Sequence, residues 1–254
     1  MRLYFLLPIL LFFIGCQTPT SNTVEEVTYQ APKHHSESIN AVFSAHGGYE
    51  QWSNMKTLSY DRGDERTITN LQNRKIRLET DERVIGFDGT DVWIAPDTLD
   101  TERIRFFHNL YFYFFSMPFV VGDDGASYES VPPRILQGKE YYGVKVSYGA
   151  GVGDAPDDNY IIWYDPDTFL MEWLMYTVTY RSGEPSDKYS LIRYDDWKEV
   201  EGLLLPTFLQ WYTYEDTVGE PRGDGARFSN INLAPLPPSD SLFAMPEQAA
   251  IAPR

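Results

Sequence analysis

A chain of 254 residues with 43% hydrophobic content is long enough for one large or two small domains and apolar enough to bury a core. Its formal net charge of -16 argues against nucleic acid, whose phosphates need clustered Lys and Arg, and against electrostatic adhesion to anionic headgroups. A single cysteine, Cys16, leaves no disulfide within the chain, so stability rests on packing, to which an aromatic share of 15% contributes.

The chain begins with the three parts of a secretory signal: a basic start at Arg2, an apolar run Leu6-Leu7-Pro8-Ile9-Leu10-Leu11-Phe12-Phe13-Ile14, and a small residue, Gly15. That run is shorter than the roughly 20 residues of a spanning helix. Cys16 stands directly behind it, where a bacterial lipoprotein signal places the cysteine whose thiol takes lipid. Phe13-Ile14-Gly15-Cys16 resembles a lipobox, with Phe where Leu is more usual. Residues 1–15 are therefore expected to be a lipoprotein-type signal peptide and Cys16 the lipidated residue; an ordinary signal or short anchor with an incidental cysteine is the alternative. Residues 16–35 read as this cysteine and a flexible tether, since Gln17–Lys33 is polar and carries Pro19 and Pro32. Gln17 is not the Asp that retains enteric lipoproteins in the inner membrane, so an outer-membrane anchor facing the periplasm is expected.

Residues 36–254 read as a single domain. Ser36 is placed to cap a helix whose apolar stripe is Ile39, Val42, Phe43 and His46; Gly47-Gly48 ends it, and a short turn through Tyr49 and Trp52 follows. From Lys56 the chain reads as strands: Thr57–Arg62, Arg74–Thr80, Arg83–Phe87, Val92–Ala95, Glu140–Tyr148, Tyr160–Tyr164, Phe169–Tyr180, Lys188–Lys198, Leu203–Tyr214 and Ala226–Leu233. Asp88-Gly89 is a hairpin signal, because a type I′ turn needs positive φ at both central residues. Asp165-Pro166-Asp167-Thr168 is a second turn, with proline pre-set at its second position. Consecutive hairpins of this kind predict a mainly β protein, an antiparallel meander curled into an open, incomplete β-barrel with a few helices covering or plugging it.

Two segments depart from simple alternation. Phe169–Tyr180 is apolar on both faces, with Phe169, Met171, Trp173 and Met175 on one and Leu170, Leu174, Tyr176 and Val178 on the other. Both faces are thus expected to be covered, either by helices and a cavity or as the middle of a sandwich. Ile104–Val121 is a long aromatic run interrupted by His108, Asn109 and Pro118. It reads as a helix ended near Met117 by the proline, which plugs the barrel, lies at a membrane surface, or is simply a buried core helix.

Catalytic motifs are absent from the sequence: it contains no HExxH, CxxC or GxSxG. His34-His35 falls in the tether, and Gly149-Ala150-Gly151-Val152-Gly153-Asp154 is followed by a strand rather than the helix N-terminus a phosphate loop needs. Asp123-Asp124, Asp154 with Asp157-Asp158, and Asp195-Asp196 lack calcium-loop spacing and read as solvated turns. His46 and His108 would support a hydrolase only if they converged on a shared acidic residue. Neither enzymatic activity nor a cofactor or metal is expected.

Several motifs, in their order along the chain, resemble the lipoprotein-carrier and receptor (LolA/LolB-like) superfamily. They are His46-Gly47-Gly48-Tyr49-Glu50-Gln51-Trp52 leading into Met55-Lys56-Thr57-Leu58, the Phe87-Asp88-Gly89 hairpin with Val92-Trp93, Tyr160–Thr168, and the tail Ser241-Leu242-Phe243-Ala244-Met245-Pro246. The aromatic run Tyr111–Val121 is similar to that of an uncharacterised lipoprotein family of Bacteroidota. The resemblance covers roughly Ser36 to Pro246 and implies a half-barrel that encloses an apolar cavity for acyl chains. Lipid or lipoprotein acyl chains are then the expected partners, with the membrane reached through the N-terminal lipid and a monomer as the expected state. Candidate ligand contacts are Phe112, Phe115, Met117 and Phe119 from the aromatic run and Trp163, Trp173, Tyr176 and Trp211 from the strands. Each is equally readable as core. An envelope protein with a packed barrel and no ligand is the alternative.

Overall fold

The computed structural model describes residues 35–98, 101, 103–148, 158–179, 186 and 188–253. Residues 1–34, with Cys16, His34 and most of the tether, the glycine-rich segment 149–154 and Tyr180 lie outside them.

Ser36 caps α1 (Glu37–Ala45): its side-chain oxygen accepts the Ile39 N–H at 3.4 Å, and Glu37 in the first turn suits the helix dipole. The helix buries Ile39, Val42 and Phe43 and stops at His46, because Gly47 and Gly48 take φ of 101° and 98°, conformations open to glycine. What the sequence suggested as a short turn is a second helix, α2 (Tyr49–Asn54).

A first meander follows: β1 (Thr57–Arg62), β2 (Glu65–Asn70), β3 (Ile76–Glu79), β4 (Val84–Phe87) and β5 (Val92–Ala95). The aromatic run then forms α3 (Ile104–Phe107), α4 (Leu110–Phe115) and a 3-10 turn at Phe119–Gly122. The second meander is β6 (Ala126–Leu136), β7 (Lys139–Tyr148), β8 (Tyr160–Tyr164), β9 (Met171–Tyr176), β10 (Ser190–Val200), β11 (Leu203–Glu215) and β12 (Thr217–Arg227). Finally β13 (Ser229–Ala234) returns to β1, and the two-residue β14 (Ala250–Ile251) pairs with β5.

The described strands make two seven-stranded antiparallel sheets, ordered β13-β1-β2-β3-β4-β5-β14 and β12-β11-β10-β9-β8-β7-β6, and neither closes on itself. The chain steps between them at Phe228. Its N–H donates to Thr207 O at 2.9 Å, and its ring packs 4.8 Å from Phe115 and 5.2 Å from Tyr60. The fold is the expected open antiparallel barrel with few helices, and α4 lies between the sheets, where Phe112, Phe114, Phe115 and Phe119 are buried in one core with residues of both.

The single helix expected from Ile104 to about Met117 is two short ones. The first α-helical turn ends at His108, and α4 ends at Ser116, before Pro118, whose ring denies the preceding residues a continuing helix. Four described strands were not foreseen. β2 is short and polar at every position but Ile68, β6 contains Pro132-Pro133, β12 contains Pro221 and three glycines, and β14 has two residues. Proline and glycine read as turns, yet sheet margins tolerate them, and β6 and β12 are the margins of the second sheet.

Both faces of β9 are covered, by different means. Met171 and Leu174 join the core shared with α4, whereas Trp173 and Met175 belong to a second cluster with Leu136, Tyr141, Ile161, Trp163 and Leu191. Strict alternation put Met171 beside Trp173. Tyr164 pairs with Met171 but Trp163 with Trp173, so Glu172 is an extra residue that moves Met171 to the other face. The outer cluster is roofed by the sheet's own hairpin ends: Val131, Tyr212, Tyr214 and Val218 pack on it.

Candidate functional site

Between the two sheets, beneath α3 and α4, lies a cavity of about 580 Å³. This is within the roughly 300–1,000 Å³ of small-molecule pockets. The first sheet supplies Ile76, Phe87 and Val92; the helices supply Phe106, Leu110, Phe112, Phe114 and Met117; the second sheet supplies Tyr148, Tyr160 and Tyr176, with Thr177 and Val178 beyond β9. Alternation explains the tyrosines. Val144 and Val146 enter the core on the same face of β7 as Tyr148, and Ile162 and Tyr164 on the same face of β8 as Tyr160.

The walls are mainly hydrocarbon, with polar side chains among them. The Tyr148 and Tyr160 rings meet edge to face at 6.2 Å, and Phe114 lies 4.8 Å from Tyr176. Burial pushes the Tyr148, Tyr160 and Tyr176 hydroxyls up from their ordinary range, so all three stay neutral hydrogen-bonding groups. Trp211 Nε1 donates to Tyr176 Oη at 3.1 Å. Arg74 and Asp123, both in the lining, form an ion pair, and Arg105, His108 and Asp158 complete the polar part. The His108 ring lies 5.7 Å from Phe87, and its Nδ1 donates to Arg105 O at 2.6 Å.

Of the eight contacts read from sequence, Phe112, Met117 and Tyr176 line this cavity. Phe115 and Phe119 are fully buried beside it: Phe115 lies 4.5 Å from Tyr60, and Phe119 stacks on Trp52 at 5.0 Å. Trp211 stands behind the lining, 5.9 Å from Phe114. Trp163 and Trp173 are not brought to the cavity. They are cross-strand partners on the outer face of the second sheet, because the pleat turns them away from Ile162 and Leu174. Sequence reasoning missed Tyr113, Tyr148, Tyr160, Arg74 and Arg105; the period-two pattern Val144, Val146, Tyr148 was a readable signal for one of them.

His46 is buried elsewhere, against Trp197 at 4.7 Å and Phe119 at 6.4 Å, and its Nδ1 donates to Val42 O at 2.8 Å. It does not line the cavity that holds His108, so the two histidines do not share a site. Desolvation lowers its pKa to about 4, against a lesser raising effect of Val42 O, so the imidazole is neutral. Among the described residues no group of three or more His, Cys, Asp or Glu is placed to hold a metal ion. Among them, too, no helix is long and apolar enough to cross a membrane.

A model of a family of unknown function, DUF6503, matches residues 94–192, which contain α3, α4 and the second sheet through β9. No curated protein matches the chain. Among solved structures it is similar to a LolA superfamily protein from Nitrosomonas europaea, at 12% identity and a TM-score of 0.44, over 74% of this chain and 87% of that one. It is also similar to a putative outer membrane lipoprotein-sorting protein domain from Vibrio parahaemolyticus, at 7% identity and a TM-score of 0.36, over 72% and 89% of the two chains. The Pseudomonas aeruginosa MucA/MucB complex matches at 10% identity and a TM-score of 0.18, over 82% and 63%.

Proposed function

We propose that this is a lipid-anchored envelope protein that holds an acyl chain, free or on a lipid or lipoprotein, in the cavity beneath α3 and α4. In this reading Cys16 carries the anchor, the outer membrane is its address, the domain faces the periplasm as a monomer, and no chemistry is performed. The cavity carries the proposal: about 580 Å³ of mainly hydrocarbon-walled space lined by both sheets and by α3 and α4.

Burial is worth about 0.8 kcal/mol per methylene, so a sixteen-carbon chain gains on the order of 12 kcal/mol gross. Association costs of roughly 4–15 kcal/mol reduce this to ordinary reversible affinity, as a protein that must release its ligand requires. Neutral phenols in the lining suit a polar head without demanding one charge. Native mass spectrometry of the purified protein, with titration of a fluorescent fatty acid, tests the reading. A bound acyl species and saturable binding are expected. Absence of both would leave a packed envelope module without a ligand.

A further inference from the structure

We infer that the exposed aromatic rim of α3 and α4 is a bilayer-docking surface through which the cavity exchanges its ligand with the membrane. The inference rests on the acyl-binding reading above and adds a surface and its partner. Phe107 is 36% exposed, Tyr113 37% and Val178 39%; what sets them apart from other exposed apolar side chains is their place at one cavity. Tyr113 and Val178 line the cavity, and so does Phe106, whose ring touches Phe107 at 5.0 Å. Tyr113 and Val178 are thus the outer end of the cavity wall, and Phe107 stands just outside it, against Phe106.

Two observations choose a bilayer as the occupant. The first is where the chain enters the domain. His35, the first described residue, donates from Nε2 to Gly122 O at 3.2 Å, and the next residue, Asp123, is part of the cavity wall. Only 17 residues, Gln17–Lys33, separate Cys16 from His34, a covalent span of at most about 60 Å. An anchored domain thus keeps this side near its own membrane. The second is the continuity of rim and cavity. Each methylene that crosses water lowers partition by about fourfold, so a mouth pressed into the acyl region avoids a loss that grows with every carbon. The protein's charge of -16 makes aromatic burial, rather than attraction to anionic lipid, the source of contact.

The test uses the full lipidated chain in vesicles of phosphatidylcholine brominated on its acyl chains. Cys16 is the only native cysteine and is consumed by lipid in this reading, so Phe107→Cys or Ile135→Cys provides one thiol for an environment-sensitive label. Ile135 is 69% exposed and pairs with Glu140, about 27 Å along β7 from Tyr148. Severalfold stronger quenching at 107 than at 135 is expected, and equal quenching overturns the inference. A label at 107 that shifts with protein concentration without vesicles would give the rim to a second copy and also overturn it. Phe107→Ser, which is not in the cavity lining, is expected to slow fatty-acid transfer from vesicles about tenfold while solution affinity for the same fatty acid is unchanged. Failure of the parent protein to bind the fatty acid in solution refutes the cavity; intact binding without the quenching contrast refutes the docking surface alone.

Discussion

His46 makes the domain's stability depend on pH in a way that can be isolated. Its Nδ1–H is committed to Val42 O, and Nε2 is buried without a hydrogen-bond partner. A second proton would therefore place a charged N–H among hydrocarbon and ring edges. With an ordinary value of 6.5 in the unfolded chain and about 4 in the folded one, the gap amounts to about 3 kcal/mol at about 1.4 kcal/mol per pH unit. The sign follows from the proton count. Between those values the unfolded chain binds more protons than the folded one, so stability is complete above pH 6.5, falls as the pH drops, and is fully forfeited below about 4. Carboxylates titrate in the same acid range, so the comparison is with His46→Phe, which keeps a ring between Phe119 and Trp197 and cannot titrate. Urea unfolding at steps from pH 7 to 4 should show wild type losing about 3 kcal/mol relative to the variant, or about 6–12 °C in Tm. A difference that stays constant within about 0.5 kcal/mol across that window would refute the assigned burial of the imidazole.

Three further outcomes are expected. A Cβ on Gly86 would lie 2.2 Å from Trp93 Cζ2, and Trp93 is fully buried, so Gly86→Ala should cost about 1–3 kcal/mol in urea unfolding and alter tryptophan emission. Leu110→Trp adds bulk to a half-buried cavity wall; fatty-acid affinity should fall at least about tenfold while the urea midpoint moves by less than about 1 kcal/mol equivalent. Tyr194 donates its buried hydroxyl to Phe114 O at 2.8 Å, so Tyr194→Phe should cost about 1–1.5 kcal/mol, read as a lower thermal midpoint and faster hydrogen exchange in α4.

Strands with a buried face were legible from their residues: β1, β4, β5, β7, β8 and β11 fall where apolar alternation put them, within a residue or two. β6 and β12 were not, because a margin strand is recognised by its neighbour rather than by its own side chains. The cavity was legible in part. Phe112 and Met117 were readable as apolar positions in a run too long for its surroundings, but nothing local separates them from Phe115, which fills space between Tyr60 and Phe228. Trp163 and Trp173 misled for a related reason. Large aromatic residues suggest a pocket, yet the second face of β8 and β9 is buried by hairpin ends distant in sequence, and the Glu172 bulge hides the change of side.

The attachments of α3 and α4 are unequal. Tyr111, at the start of α4, lies under the Arg62 guanidinium at 3.9 Å; Phe114 O is held by Tyr194; and Phe115 is wedged between Tyr60 and Phe228. α3 buries Ile104 and leaves Phe107 partly in water. Fewer buried contacts mean a lower local opening free energy. α3 is thus expected to open while α4 remains seated, admitting ligand from the rim side without loss of the core. Native-state hydrogen exchange should find the amides of α3 less protected than those of α4, and bound fatty acid should raise protection chiefly in α3. Equal protection in both helices, or a ligand effect confined to α4, would place the entrance elsewhere on the cavity wall.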